Sequence, residues 1–238
     1  MKSAEYGNLA RVEAEHWYYR GKRQIVRYWL EAGFRDGGVA PVLVDCGAGT
    51  GRFAGEMAAR ARVIAVDDAP ESLALLEGVP GIEARKGDCL RLPLADGEAD
   101  MLTALDVLEH VDDDAGAVGE FRRVLKPGGL LVATVPACPW LWSDWDTALH
   151  HRRRYTLKGL RRLFAGPEWE VQHASGINVA ALPAVWLLRK ARWSAQRAED
   201  RIPPRWINGL LEWLFVAPAC TGFRLPLGVG ALLVARRC

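Results

Sequence analysis

Short apolar runs and helix-period stretches alternate along the first 136 residues. Ala10 to Glu31 reads as a helix of mixed aromatic and basic character, closed by Gly37-Gly38. Pro41-Val-Leu-Val-Asp45 is a brief apolar run of strand character and opens into Cys46-Gly-Ala-Gly-Thr-Gly51. Helix formers fill Arg52 to Ala61. A second strand, Arg62 to Val66, stops at Asp67-Asp68, and Pro70 begins a helix over Glu71 to Glu77, a position that proline tolerates. A weaker third strand, Ile82 to Arg85, precedes Gly87-Asp88, and Ala99 to Leu105 is a fourth. Asp112-Asp-Asp114 places acids before a helix from Ala115 to Leu125, where they complement its dipole. Lys126-Pro-Gly-Gly129 turns the chain into a fifth strand, Leu130 to Val135.

Strands alternating with helices predict an open, mostly parallel sheet covered on both faces, an α/β architecture. Beyond Pro136 the rhythm changes. A helix is predicted from Thr156 to Phe164, with further strands at Trp169 to Ser175 and Gly228 to Ala235. Between these strands lies an apolar, Trp-rich insert over about 176–227, broken at Ile202-Pro-Pro-Arg205 and far longer than a hairpin needs. Within it, Trp206, Leu210, Trp213 and Leu214 share one helix face.

Composition narrows the class. Of 238 residues, half are hydrophobic and a quarter charged, which suits a folded globular chain. A net charge of +2 demands no nucleic-acid partner. The five cysteines are scattered, with no C-x-x-C pair, so neither a zinc cage nor any other metal site is expected, and a reducing, cytoplasmic setting is. The first seventeen residues lack the apolar segment of a signal peptide, and the apolar stretch Ile177 to Leu188 is too short to span a bilayer. Eight of the ten tryptophans fall from Trp140 onward, so the second half is built differently from the first.

Gly47-x-Gly49-x-Gly51, after a strand and before a helix, has the form of a cofactor loop, with helix N–H groups behind it. Two ligands compete. A dinucleotide loop calls for glycine where this chain has Arg52. Asp45, just ahead of the loop, would repel a pyrophosphate and suits the ammonium and sulfonium of S-adenosylmethionine. Asp67 ends the second strand, where a carboxylate can accept both ribose hydroxyl hydrogens. Asp88 follows the third strand and can accept an adenine amino hydrogen, with Cys89 beside the ring; Asp106 ends the fourth. Open α/β sheets bind ligands at such strand C-termini.

The stretches VLVDCGAGTGRFA, VIAVDDAPESL, KGDCLRLPLADGEADMLTALDVLEHVDD and EFRRVLKPGGLLVATVP resemble the class I S-adenosylmethionine-dependent methyltransferases, in the broad type 11 group, over Val42 to Pro136. The resemblance implies a Rossmann-like seven-stranded sheet with an antiparallel last strand. It implies that Asp45, Gly47, Ala48, Gly49 and Gly51 cradle the methionine end, that Asp67 and neighbouring Asp68 serve the ribose, Asp88 and Cys89 the adenine, and Asp106 the pocket floor. S-adenosylhomocysteine would be the product. On this reading residues 1–38 form a helical lid and 39–238 a methyltransferase domain, divided into a cofactor-binding core (39–136) and a substrate-side region (137–238). A bacterial subgroup is similar further out, in Glu15-His-Trp-Tyr-Tyr-Arg-Gly-Lys-Arg23, Val135 to Asp146 and His150-His-Arg-Arg-Arg-Tyr155. Trp145 and His150 depart from its pattern.

Methyl transfer needs a base only when the acceptor must lose a proton. His151 is the leading candidate, beside a structural hydrogen bond to backbone as the competing role, and Asp146 would orient it. His110 reads as a base, a cap or a packing residue. His16, Tyr19, Arg23, Trp142, Trp145, His150, Arg154 and Tyr155 are the acceptor-side candidates, with Trp17, Tyr18 and Tyr19 as lid aromatics. A small or lipid-like acceptor is expected, with oxygen favoured over nitrogen or carbon. The insert would roof an apolar pocket, form a homodimer surface or touch a membrane, the last being the least favoured. Two rivals stay open: an NAD-dependent oxidoreductase, and a cofactor-binding partner subunit without turnover.

Overall fold

The computed structural model describes residues 10–34, 39–190 and 202–238. Its strands are β1 (Val42–Cys46), β2 (Arg62–Asp67), β3 (Ile82–Lys86), β4 (Ala99–Leu105), β5 (Leu125–Pro136), β6 (Trp169–Ile177) and β7 (Gly230–Arg237). They form one sheet in the order β3-β2-β1-β4-β5-β7-β6. The first five run parallel, and β7 inserts antiparallel to both β5 and β6. This is the Rossmann-like sheet expected from the sequence. Strand order reverses between β1 and β4, which opens a crevice at their C-terminal ends.

The helices are α1 (Trp17–Leu30), α2 (Arg52–Met57), α3 (Pro70–Leu76), α4 (Asp114–Val124), α5 (Asp144–Ala148), α6 (Leu157–Leu163), α7 (Leu182–Lys190) and α8 (Arg205–Ala219). Alternate strand residues face opposite layers. Val44, Cys46, Ile64 and Val66 meet Phe121 of α4, Leu160 of α6 and Phe164 on one face. Leu43, Val63 and Ala65 meet Ile25 of α1, Phe53 of α2 and Phe215 of α8 on the other. Each large side chain so buried contributes roughly 1.5–3 kcal/mol.

Several boundaries differ from the sequence reading: the helix read over Arg52 to Ala61 stops at Met57, and three others matter more. The N-terminal helix is broken: residues 10–15 are helical, His16 is extended, and its ring Nδ1 accepts the Tyr18 N–H to cap α1. β5 begins at Leu125, directly after α4, because Leu125 pairs with Ala99 ahead of the irregularity at Met101; the Lys-Pro-Gly-Gly stretch is part of the strand. The second insert helix runs to Ala219, past Pro218. The Gly37-Gly38 stop, Trp193 and residues 191–201 of the insert lie outside the described residues.

The insert packs on the N-terminal helix. Phe215 stacks on Tyr18 with ring centroids 5.6 Å apart and meets Trp17 edge-on. Asn208 accepts the Trp17 N–H and donates to the Glu15 carbonyl, both at 2.8 Å. Trp17 and Tyr18 therefore pack against α8, while its opposite face leaves Trp206 and Trp213 exposed. No described helix is long and apolar enough to cross a membrane.

Gly176, next to last in β6, lies against the chain entering β7, where an added Cβ would lie 2.2 Å from the Leu227 carbonyl oxygen. Gly176→Ala is expected to cost at least about 3 kcal/mol in urea unfolding. Gly119 is exposed in α4 with open space around it, so Gly119→Ala should add about 0.5–1 kcal/mol. Equal effects at the two positions would contradict this packing.

Candidate functional site

Gly47, Gly49 and Gly51 all hold positive φ, which lets the loop turn sharply from β1 into α2. A Cβ at Gly47 would strike the Val107 side chain at 2.5 Å, and one at Gly51 would strike Leu76 at 2.7 Å. Over Gly49 nothing lies within 4 Å, so that face is open to a ligand. The loop is tied to β2: Gly47 and Ala48 N–H both reach the Val66 carbonyl, and Gly49 N–H donates to Asp67 Oδ2 at 2.9 Å. The other Asp67 oxygen accepts the Ala69 N–H at 3.0 Å.

Asp45 is buried at the tip of β1, where its Oδ1 accepts the Thr103 hydroxyl at 2.7 Å. Burial pushes its carboxyl up to about 7, against the Thr103 bond, and the neighbouring charges of Asp67 and Glu13 push the same way. Glu13 was not anticipated from the sequence. It sits in the helical stretch before His16, accepts the Thr50 hydroxyl of the glycine loop and is itself raised by burial. Asp68 and Asp88 are exposed beside the same edge; Asp88 accepts the Leu90 N–H at 2.8 Å, and Cys89, half-buried next to it, is pushed up to about 12 chiefly by burial.

Asp106 follows β4 with φ +55. Its carboxylate takes the Thr134 hydroxyl at 2.9 Å and the ammonium of Lys22, a second unanticipated residue, buried on α1 beneath the Tyr18 ring. Burial works against the Asp106 charge, but Lys22 outweighs it and carries the carboxyl below its ordinary range. Lys22 fell inside the stretch Glu15 to Arg23 whose motif was noted. An ammonium on the apolar side of the helix was the available signal.

The acceptor-side candidates separate into two groups. Arg23 bridges inward, to Glu56 at 2.8 Å and the Glu13 carbonyl at 2.7 Å. His16 is the buried cap of α1, and the Tyr19 hydroxyl, raised by burial, is within electrostatic reach of Asp106 and Glu13. Across the crevice Asp146 is fully buried. It closes a capping box with Ser143, and its carboxylate meets His151 Nδ1 at 3.0 Å, Arg154 Nε at 2.7 Å and Arg189 Nη1 at 2.9 Å. Burial alone would raise Asp146; the His151 hydrogen bond and the arginines carry it far below the carboxylate range. Arg154 also donates to the Ala137 carbonyl, and the Tyr155 hydroxyl donates to Asp114 and the Leu108 carbonyl, so both polar ends are held by protein groups. Trp142 and His150 are exposed, and Trp145 is half-buried. Glu109 is completely buried and His110 stands against His151, ring centroids 4.9 Å apart.

Residues 44–133 match the family model described as a methyltransferase domain. An uncharacterized 37.1 kDa protein of transposon TN4556 from Streptomyces fradiae is 39% identical over 110 residues, 44% of this chain and 30% of that protein. A Mycolicibacterium smegmatis protein named "Probable S-adenosylmethionine-dependent methyltransferase" is 29% identical over 170 residues, 70% of this chain and 64% of its own length. The chain thus spans between about a third and two thirds of these relatives. Among solved structures, a chain from the "Complex between the Haloferax volcanii Trm112 methyltransferase activator and the putative methyltransferase" superposes with a TM-score of 0.64 at 17% identity, covering 99% of this chain and 95% of that one. Residues 44–133 are thus similar to a methyltransferase domain.

The Asp45 carboxyl gives a signed pH test. Its folded value, near 7, lies above the ordinary carboxylate value of about 3.9 that it regains on unfolding. The native state therefore holds the extra proton between those values, and stability falls as pH rises through the window. Asp45→Asn, which keeps an acceptor for Thr103, should raise the melting temperature at pH 8 and leave it nearly unchanged at pH 4. A variant no more stable at pH 8 than the parent would show that Asp45 is not held as described.

Proposed function

We propose that the whole chain is an S-adenosylmethionine-dependent methyltransferase acting on a small or lipid-like acceptor, with an oxygen atom as the favoured methyl acceptor. One observation carries this reading: Asp45 is buried beneath an open glycine loop, and the charged groups acting on it are the acids Asp67 and Glu13. Such a cradle attracts a ligand bearing positive charge and repels a pyrophosphate. It therefore supports this ligand over the dinucleotide alternative.

Asp45 and the backbone of Gly47, Ala48, Gly49 and Gly51 would hold the amino-acid end. Asp67, with Asp68 beside it, would serve the ribose, and Asp88 and Cys89 the adenine. Asp106, fixed by Lys22 and Thr134, would form the floor. When bound, S-adenosylmethionine supplies a methyl group on an electron-poor sulfur. The chain's own part is alignment and exclusion of water, worth about 7–11 kcal/mol when the reacting atoms are well placed. Tyr19, near Asp106, would close the acceptor side.

His151 is the basic group offered to the acceptor. In the tautomer that gives Nδ1–H to Asp146, Nε2 carries the lone pair. Asp146 is the positioning residue, itself fixed by Arg154 and Arg189.

Calorimetry on the full chain tests the reading. S-adenosylmethionine should bind, and NAD should not. If only the ionised Asp45 pairs with an ammonium, affinity should fall about tenfold between pH 8 and pH 6. Labelled methyl transfer into a metabolite extract should follow. Tight NAD binding with none of S-adenosylmethionine would reverse the assignment.

A further inference from the structure

Behind Asp106 the chain turns through Leu108-Glu-His110, a short 3-10 segment with Glu109 pointing inward. Glu109 is 0% exposed, and neither of its carboxyl oxygens has a hydrogen-bond partner. An unpartnered buried carboxyl is a costly group, and folded proteins seldom keep one without a use. One ligand atom each from Glu109, His110 and His151 lies within 4.8 Å of the others. These three groups converge from two separate parts of the chain. Arg152 binds them together, its N–H donating to the Glu109 carbonyl at 2.7 Å and its Nε to the His110 carbonyl at 2.9 Å.

We propose that Glu109, His110 and His151 form a binding site for a single divalent first-row transition-metal ion at the acceptor side of the crevice. Two imidazoles and one carboxylate are a donor set suited to such ions and leave coordination positions open. The surroundings have the form of a metal centre's outer shell. A ligating histidine ordinarily gives its other ring N–H to a carboxylate or a carbonyl, which fixes tautomer and orientation. His151 does so through Nδ1 to Asp146. Asp146 in turn is anchored by Arg154 and Arg189. The arrangement is closed on the Glu109 side and open at exposed His110, so an ion can enter from solvent.

The ion would act as a Lewis acid for the acceptor. An oxygen occupying an open position loses its proton more readily, which turns a hydroxyl into a better nucleophile at neutral pH. With the ion bound, His151 Nε2 would be a ligand rather than a base, and the acceptor's proton would pass to solvent. This role deepens the methyl-transfer reading and rests on it; binding of the ion does not.

The test is a Co²⁺ titration of the full chain, stripped with chelator, followed by visible d–d absorption and by competition with Zn²⁺. The expected result is one ion per chain, displaced by Zn²⁺. Glu109→Gln and His110→Ala should each weaken binding at least tenfold, and Asp146→Asn about 10–100-fold through loss of orientation. His173→Ala, at a buried histidine stacked on Trp29, should leave binding unchanged. Circular dichroism verifies that each variant folds, and exposed His110 supplies the answer if a Glu109 variant does not. Calorimetry with S-adenosylmethionine on the same metal-free samples separates failure of this site from failure of the methyl-donor site. Absorption no different from the free ion, or an affinity in the Glu109→Gln and His110→Ala variants unchanged from the parent's, would overturn the proposal.

Discussion

A buried carboxylate surrounded by other acids is unstable as an anion until positive charge arrives, and Asp45 is in that position. It stands at the tip of β1, where strand order reverses, with Asp67 and Glu13 as its charged influences and the Thr103 hydroxyl as its hydrogen-bond donor. The rest of the site is arranged around that deficit. Three positive-φ glycines leave space above it, β2 holds the loop through Val66 and Asp67, and the segment before α1 adds Glu13. A second carboxylate, Asp106, has the opposite history. Lys22 already neutralises it, so it can define the floor without asking for a cation. Neighbouring acids of the same crevice thus differ in what they require, and the difference comes from one buried lysine.

That lysine also links the N-terminal segment to the strand tips. α1 is tied to the strand tips by Lys22 and Asp106 and backed over its first turns by α8, through Phe215, Asn208 and Glu212. Movement of α8 relative to α1 would reach the crevice through this path. The far side is held by another charge cluster, in which buried Asp146 gathers His151, Arg154 and Arg189. The insert therefore contacts both walls, one through α8 and the other through Arg189 on α7.

The sheet was legible in the sequence for a physical reason. Parallel strands buried on both faces must be apolar throughout, so runs such as Val63 to Val66 admit few other readings. Their ends were legible too, because Asp45, Asp67 and Asp106 interrupt those runs where polar groups can meet solvent or ligand. Long-range partnership was not legible. The place of Lys22 on the apolar side of its helix marks it as unusual but does not name Asp106 as its partner, and Glu109, between Leu108 and His110, reads as a solvated acid. The break at His16 was missed because an imidazole is an unusual helix cap. The end of the last insert helix was missed because Pro218 suggests an earlier stop, whereas the helix continues to carry Ala219 onto Trp29.

Carbon-13 NMR of labelled aspartate carboxyls follows Asp45 directly as pH is varied, with and without S-adenosylmethionine. This account predicts a carboxyl that titrates near 7 in the free protein and drops into or below the ordinary carboxylate range in the complex. A carboxyl that already titrates near its ordinary value in the free protein, or one that the ligand leaves unmoved, would contradict it.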